Sequence, residues 1–379
     1  MRVDNNNTNT NNNDTCTNSI IDRNHRILKK LSEKKNLTSK ETLHIVLDIL
    51  KGKCSEIFIS AFLMSFLING ENVDEIKGAI NALRLSAIKI SPVVNFPIID
   101  NCGTGGDFLN TFNISTASAL VASSCGKVVV AKHGNRSSSS LSGSADFFEY
   151  LGYNLDIEPK LVVESIDLFD FGFIFAPKFN PGLKNASKVR KELGLRTIFN
   201  KIGPLCNPCT NLYGQLIGVS DPSLLETVPK VIPFLGLKNA MIVHSHDGMD
   251  ELSVSSKSTI INVCLQDDGV YSSHHYVLDP SDLGLPKSSL SDVAVKDKSE
   301  SIMETMRVIY GINKNNSKEN IVLLNSAAIL LTANVVDSLK EGISVVKGIL
   351  DNGWPQKKLE SLIKKYGDIS KLENAKKLL

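Results

Sequence analysis

The stretch FPIIDNCGTGGDFLNTFNISTASALVASSCGKVVVAK, residues 96–132, decides the fold. Phe96–Asp100 is a short strand-forming run. A glycine-rich loop follows, then a helix over about Ile114–Cys125, then a second strand at Lys127–Lys132. The alternation recurs downstream. A polar loop and a helix near Asp146–Leu151 come next. Later, Gly214–Val219 reads as a strand, Pro222–Leu235 as a helix and Ala240–His244 as a strand. Strands separated by helical segments predict βαβ units and a mostly parallel central sheet.

Upstream the texture is helical. Ile20, Ile27, Leu28 and Leu31 repeat at helical spacing. Thr38 and Glu41 form a capping-box signature before Leu43, Val46, Leu47 and Leu50, with Gly52 as the stop. Ser55 can cap Ile57–Ile68, which ends at Asn69-Gly70, and Asn72 with Glu75 opens a helix carrying Ile76, Ala79, Ile80 and Leu83. Four helices without a strand predict a small helical domain over 20–90, and the texture changes near Ser91-Pro92. The expected fold class is α/β: this helical domain plus a larger α/β domain over 91–379. Pro177–Pro208 breaks the alternation, and its basic helix around Lys184–Lys191 has no strand of its own. Part of 180–212 is therefore expected to return to the helical domain or wall the cleft. After Ser253 the chain is strand-rich, then helical, with a polar loop at 313–318 and a basic helical tail.

Composition excludes several classes of function. The 379 residues carry 42 Lys+Arg against 40 Asp+Glu, a net charge of +2. That balance argues against a chain built to coat nucleic acid or an anionic membrane. With 42% hydrophobic and 22% charged residues, wholesale disorder is excluded. Seven scattered cysteines suit a reducing compartment. Ile57–Ile68 is far short of the roughly 20 residues a bilayer needs. Ile321–Val336 is longer, but Asn325, Ser326, Thr332 and Asn334 interrupt it. Residues after Met1 are polar, with no secretory signal, and Asp4, Asp14 and a shortage of Arg count against a transit peptide. The Asn/Thr tract Asn5–Asn13 cannot bury apolar surface, so 1–19 is expected to be a disordered extension. The expectation is a cytoplasmic protein with no nucleic-acid and no membrane partner.

Three loops follow strands and should meet in one cleft at the strands' carboxyl ends. The first, Gly103-Thr104-Gly105-Gly106-Asp107, lets backbone N–H groups approach an anion, and it feeds a helix N-terminus at Asn113-Ile114-Ser115-Thr116. Its spacing is neither a Walker loop nor a dinucleotide fingerprint, and a plain tight turn is the rival reading. The second adds Lys132, His133, Gly134, Asn135, Arg136 and four serines, Ser137–Ser140, all suited to phosphate. A flexible Ser-rich linker is the rival there. The third, His246–Glu251, carries Asp250 and Glu251, which are either solvated acids or hard oxygen ligands for Mg²⁺. Zinc lacks a ligand set around His244 and His246. Cys206-Asn207-Pro208-Cys209 sits in a Pro-rich loop, outside any redox or zinc context.

These motifs identify a family. Asp100–Leu151, with Gly-Thr-Gly-Gly-Asp, Thr-Phe-Asn-Ile-Ser-Thr and Lys-His-Gly-Asn-Arg, closely resembles anthranilate phosphoribosyltransferase. Val189–Pro208, with Arg-Thr-Ile-Phe-Asn and Gly-Pro-Leu-Cys-Asn-Pro, and Val243–Ser253, with Gly-Met-Asp-Glu, agree. The resemblance runs from about Ile20 to the C-terminus. It implies a nucleoside phosphorylase/phosphoribosyltransferase-like fold, a helical domain hinged to an α/β phosphoribosyl-transfer domain. It also implies a reaction: anthranilate and phosphoribosyl pyrophosphate give N-(5-phosphoribosyl)anthranilate and pyrophosphate in tryptophan biosynthesis, with Mg²⁺ and a homodimer made through the helical domain.

Carried over by resemblance, Gly103, Gly106, Asp107 and Thr111 line the phosphoribosyl pyrophosphate site, and Asn113, Ile114, Ser115 and Thr116 continue it. Lys132, His133, Gly134, Asn135, Arg136, Ser137, Ser138, Ser139 and Ser140, with Ser144, close over the phosphates. Lys132, Asp250 and Glu251 carry the catalysis, and Ser115, Asp250 and Glu251 face the metal. Gly103, Asn135 and Arg190 contact anthranilate, where the Arg190 fork suits a planar carboxylate. One departure stands out: Asn180 occupies a place where the family usually has a histidine lining the anthranilate channel, or else it caps a helix beginning near Pro181. A pyrimidine nucleoside phosphorylase, a nucleic-acid-binding paralogue and a phosphate-binding regulatory module remain as rivals. The acid pair and the Asn135/Arg190 pair speak against the first.

Overall fold

The structure, a computed structural model, describes residues 11–137, 140–312 and 314–379. The chain forms two compact units: residues up to Ser86 with Gly182–Ile202, and Ala87–Pro181 with Gly203–Leu379. The first unit ends before the expected position 90 because residues beyond Ser86 bond within the second. Ile88 N–H donates to Phe179 O (2.8 Å), and Thr210 N–H donates to Ile90 O (2.9 Å).

The helical unit begins with α1 (Asn11–Ser32), α2 (Ser39–Leu50), α3 (Glu56–Asn69) and α4 (Val73–Ser86). Their starts follow from local chemistry. Thr38 Oγ1 accepts the Glu41 N–H (3.2 Å), and the Glu41 carboxylate accepts the Thr38 N–H (2.8 Å). Ser55 caps α3 through the Phe58 N–H, and Asn72 caps α4 through the Glu75 N–H. Ile27, Leu31, Ile45, Ile49, Phe62, Phe66, Ile76 and Ile80 fill the core. The expected disordered extension divides in two. Residues 1–10 lie outside the described residues, whereas Asn11–Ser19 continue the backbone of α1. The packed stripe at Ile27 and Leu31 nucleates that helix, and extending it upstream costs little per residue.

In the α/β unit, β1 (Ile98–Gly103) leads to α5 (Ile114–Ser123), β2 (Val129–Gly134), α6 (Ser144–Tyr150), α7 (Pro159–Phe169), β3 (Phe171–Phe175) and the short α8 (Ala176–Phe179). The helices α9 (Lys184–Leu193) and α10 (Ile198–Ile202) belong to the helical unit, where they pack on α2, α3 and α4. The chain then forms β4 (Gly214–Gly218), the turns α11 (Leu224–Thr227) and α12 (Ile232–Leu235), and β5 (Asn239–Ser245). Pro222–Leu235 is thus not one helix: Pro229 and Pro233 lack the N–H groups a continuous helix needs. A hairpin of β6 (Ser258–Leu265) and β7 (Tyr271–Leu278) follows, then α13 (Lys298–Ile309), α14 (Ser317–Thr332), α15 (Leu339–Asp351), α16 (Trp354–Tyr366) and α17 (Ile369–Lys376).

The strand order is β3-β2-β1-β4-β5-β6-β7, parallel from β3 to β5, with β6 and β7 antiparallel. From β1 the chain builds outward first through β2 and β3, then through β4 and β5. The order therefore reverses between β1 and β4, and a crevice opens at their carboxyl ends. Among the described residues, no helix is long and apolar enough to cross a membrane.

Candidate functional site

The crevice is built where β1 and β4 end. Gly103 pairs with Gly218, Thr104 N–H donates to Gly218 O (2.9 Å), and Ser220 N–H donates to Thr104 Oγ1 (3.1 Å). The third loop closes onto this seam: Asp250 Oδ2 accepts the Gly105 N–H at 2.6 Å. Both strand-end glycines are required by that approach. A Cβ on Gly103 would collide with Asp250 Oδ2, and one on Gly218 with the Asp250 carbonyl oxygen. Gly105 and Gly106 both have positive φ, at 63° and 75°. Thr111, just beyond the loop, bridges to Ala294.

Lys132, within β2, is almost fully buried, at 2% exposure. Its Nζ donates to Asn101 O (2.8 Å), Asn101 Oδ1 (3.3 Å) and Ser115 Oγ (3.3 Å). Asn101 Nδ2 donates in turn to Ser115 O (2.7 Å), so β1, β2 and the first turn of α5 are tied at one point. The Ser115 backbone N–H donates to the Glu251 carboxylate. Glu251 therefore sits at the α5 N-terminus, where the helix dipole favours negative charge. Burial and the neighbouring Asp250 charge push the Glu251 carboxyl well above the usual range, Asp107 adds to the rise, and Lys132 opposes it. Among the described residues no group of three or more His, Cys, Asp or Glu is placed to hold a metal. What the crevice does offer is two adjacent carboxylates, with the Ser115 hydroxyl on the helix turn that meets Glu251.

The remainder of α5 and the second loop frame the same crevice. Asn113 and Ile114 are buried at the helix start, and Asn113 Nδ2 donates to Ser142 Oγ (3.1 Å) rather than capping its own helix. Asp146 organises the serine loop: its Oδ2 accepts N–H bonds from Ser137 (2.9 Å) and Gly143 (2.8 Å), and Lys298 pairs with Oδ1. Ser137 and Ser140 bond to each other, and the Asn135 carbonyl accepts the Ala145 N–H (3.1 Å) and the Ser144 hydroxyl (3.5 Å). Packing is tight where the loop starts, since a Cβ on Gly134 would strike Ser144 Oγ. Ser138 and Ser139 lie outside the described residues. The Arg136 guanidinium forks onto Glu149 (2.7 and 3.2 Å) and stacks over Phe175. His133 is buried and neutral, with burial and Lys132 pushing its imidazole down to about 4.

Arg190 lies on α9 in the helical unit. It is half-buried, its guanidinium stands over the Phe199 ring, and Nη2 is 3.4 Å from Asn200 Oδ1. Burial lowers its pKa. Asn180 does not open a helix at Pro181; it closes α8, where its N–H donates to Ala176 O (2.8 Å). Pro181–Leu183 is a 3₁₀ turn, Leu183 precedes α9, and the buried Asn180 Oδ1 accepts no hydrogen bond.

Sequence reasoning missed the layer beneath Lys132. Asp100 is fully buried and accepts the His133 N–H (3.1 Å), Gln215 Nε2 (3.1 Å) and an Asn207 side-chain bond. Gln215 also donates to Pro204 O (2.6 Å), and Asn207 donates to Ala131 O (2.8 Å). This network fixes the Gly203–Pro208 segment against β1, β2 and β4. The available signal was two consecutive polar residues, Asp100-Asn101, ending an apolar strand.

Comparison with known proteins agrees with this geometry. The family model described as glycosyl transferase family, helical bundle domain, matches residues 25–87, and the one described as glycosyl transferase family, a/b domain, matches residues 95–355. An anthranilate phosphoribosyltransferase of Acetivibrio thermocellus is 42% identical over 338 residues, spanning 89% of this chain and 95% of its own. The crystal structure of the Thermus thermophilus anthranilate phosphoribosyltransferase matches with a TM-score of 0.80 at 32% identity, over 91% of this chain and 99% of the other. That of the Saccharomyces cerevisiae enzyme in complex with phosphoribosyl pyrophosphate and Mg matches with a TM-score of 0.80 at 27% identity, over 92% and 97%. A switch-point crevice, an acid pair closing on a glycine loop and relatives matched over nearly their whole length converge: the chain belongs to the anthranilate phosphoribosyltransferase family.

Proposed function

We propose that this chain transfers the 5-phosphoribosyl group of phosphoribosyl pyrophosphate to the amine of anthranilate, releasing pyrophosphate and forming N-(5-phosphoribosyl)anthranilate in tryptophan biosynthesis. The observation that carries the proposal is the contact between Asp250 and Gly105, which brings an acid pair against a glycine loop at the switch point.

The amine nitrogen attacks C1 of the ribose as the C1–O bond breaks, and that bond's electron pair leaves with pyrophosphate. An aryl amine is neutral at pH 7, so it needs no base before attack, and its extra proton passes to solvent afterwards. The enzyme's main task is to settle charge on the leaving group and to align the nucleophile. Gly103, Gly106, Asp107, Thr111 and Asn113–Thr116 line the phosphoribosyl pyrophosphate site, and Lys132–Ser140, with Ser144, close over the phosphates. Lys132 supplies a fixed positive charge, because its ammonium is already anchored by Asn101 and Ser115. Gly103, Asn135 and Arg190 receive anthranilate, with the Arg190 fork on its carboxylate.

Asp250 and Glu251, with the Ser115 hydroxyl, are the residues that would hold Mg²⁺. The fit rests on chemistry: hard oxygen donors, and a Glu251 carboxyl whose proton affinity is raised first by burial and then by the Asp250 charge beside it. Magnesium takes one or two carboxylates and completes its shell with phosphate and water. When bound, it neutralises charge developing on pyrophosphate. The chain pairs as a homodimer through its helical unit, a reading supported by Ile57 and Ile68 on α3, which are 84% and 73% exposed.

Incubation with anthranilate, phosphoribosyl pyrophosphate and Mg²⁺, followed by loss of anthranilate fluorescence, tests the proposal. Loss that depends on phosphoribosyl pyrophosphate is expected. Phosphorolysis of a pyrimidine nucleoside, with anthranilate untouched, would overturn it.

A further inference from the structure

Helix α14 is buried along most of its length, and Asn325 interrupts its apolar run near the centre. Asn325 is fully buried and makes three hydrogen bonds. Its Oδ1 accepts the Leu252 N–H (3.0 Å), and its Nδ2 donates to Leu252 O (2.9 Å) and to Ile321 O (2.8 Å). The side-chain amide thus pairs with both backbone polar groups of one residue, as a neighbouring strand would. Leu252 directly follows Glu251.

We propose that Asn325 is a positioning residue for the acid pair: it fixes the backbone from which Asp250 and Glu251 project, and so sets how they meet a divalent cation. The inference rests on the role given above to those two carboxylates. The loop has further anchors on its hairpin side. Ser245 Oγ donates to Glu251 O (2.6 Å), and Asp247 Oδ2 accepts the Ser253 and Ser255 hydroxyls (2.7 Å each). Asn325 adds the anchor from the helical layer. A leucine at 325 would suit α14 better by polarity, yet it would strand the buried N–H and C=O of Leu252. Residues that orient metal ligands from behind typically change metal affinity by about 10–100-fold when replaced.

The test uses Asn325→Ser and Asn325→Leu in the full chain. A serine hydroxyl folds back onto Ile321 O, as Thr332 Oγ1 does onto Ala328 O (2.8 Å), keeping the helix satisfied while releasing Leu252. Binding of Mn²⁺ with pyrophosphate present is read by electron paramagnetic resonance, alongside melting temperature and the Mg²⁺ dependence of turnover. Asn325→Ser should weaken Mn²⁺ binding about ten-fold or more. The Mg²⁺ needed for half-maximal rate should rise in parallel, with the anthranilate KM little changed. Thr332→Val removes a hydroxyl bond from the same helix away from the loop and should leave Mn²⁺ binding intact. Unchanged Mn²⁺ binding in Asn325→Ser, an equal loss in Thr332→Val, or failure of both Asn325 variants to fold overturns the proposal. Asp250→Ala separates the two levels. If it too leaves Mn²⁺ binding unchanged, the acid-pair reading itself fails; if it abolishes binding while Asn325→Ser does not, only the positioning role does.

Discussion

Asp250 is the residue whose replacement says most about the crevice, because two effects meet there. Its Oδ2 accepts the Gly105 N–H at 2.6 Å, a short contact with an ionised acceptor. A hydrogen bond of that kind is worth about 1.5–3 kcal/mol. At about 1.4 kcal/mol per decade, its loss alone costs roughly ten-fold to 150-fold. Asp250 also supplies half the negative charge of the acid pair. Removing a group that settles developing charge typically costs about 10²-fold or more. Asp250→Ala loses both, so kcat/KM for phosphoribosyl pyrophosphate should fall about 10³-fold or more, the two losses overlapping rather than multiplying in full. Asp250→Asn keeps an acceptor for Gly105 and loses only the charge. It should fall about 10²-fold and should melt close to the parent, whereas the alanine variant melts lower.

Anthranilate fluorescence followed across titrations of Mg²⁺ and phosphoribosyl pyrophosphate separates the two variants. The reasoning fails if Asp250→Ala retains kcat/KM within about three-fold of the parent at saturating Mg²⁺, since no charge-settling role is compatible with so small a loss. It fails equally if both variants mainly raise the anthranilate KM.

Arg190→Ala should raise the anthranilate KM about ten-fold to 150-fold and spare that for phosphoribosyl pyrophosphate; equal effects on both would make its stacking on Phe199 the whole of its role. Burial pushes the Asp100 carboxyl up to about 6 from an ordinary 3.8, so its contribution to stability is present below about pH 4 and lost as pH rises through 6. Measured against Asp100→Asn, chemical denaturation should show the parent losing up to about 3 kcal/mol across that window, and a flat difference would refute the shift. Ile57→Glu with Ile68→Glu should give a monomer by light scattering with little change in melting temperature, and an unchanged mass would exclude that face. Asn180→His should change the anthranilate KM and its pH dependence between about 5.5 and 7.5, where histidine titrates; unchanged kinetics would place Asn180 away from the acceptor.

What was legible in the sequence was local. The α2 capping box, the Ser55 and Asn72 caps, and β1 and β2 all follow from residues within a few positions of one another. β3 was not legible. Phe171–Phe175 is buried at every position, so it carries no alternation, and at five residues it is too short for length to decide. The layer under the site was hidden for another reason. Gln215 and Asp100 are 115 positions apart, and Asn325 and Leu252 are 73 apart. Each looks like a stray polar residue in an apolar element until the sheet brings its partner alongside.

Some buried polar atoms without a partner lie at residues of the proposed site. Among the described residues, the buried side-chain atoms without a hydrogen bond include four at residues of the proposed site, Thr116 Oγ1, His133 Nε2, Asn180 Oδ1 and Arg190 Nε, and others away from it, such as Arg23 Nε, Thr42 Oγ1 and Tyr153 OH. Each such atom costs about 1–3 kcal/mol, a large share of a stability that is typically only about 5–15 kcal/mol. A chain built for stability alone would pair them or replace them with apolar groups. Lys132, equally buried, has its donors occupied by Asn101 and Ser115, so polarity at the crevice is not in itself left unpaired. Pairing within the protein and a role toward substrate are therefore compatible, and an unpaired atom matters for function only where a ligand can reach it. Filling the phosphate site should stabilise the α/β unit by more than its apolar contacts alone would if the Thr116 hydroxyl donates to a phosphate oxygen there, whereas anthranilate should act through Arg190.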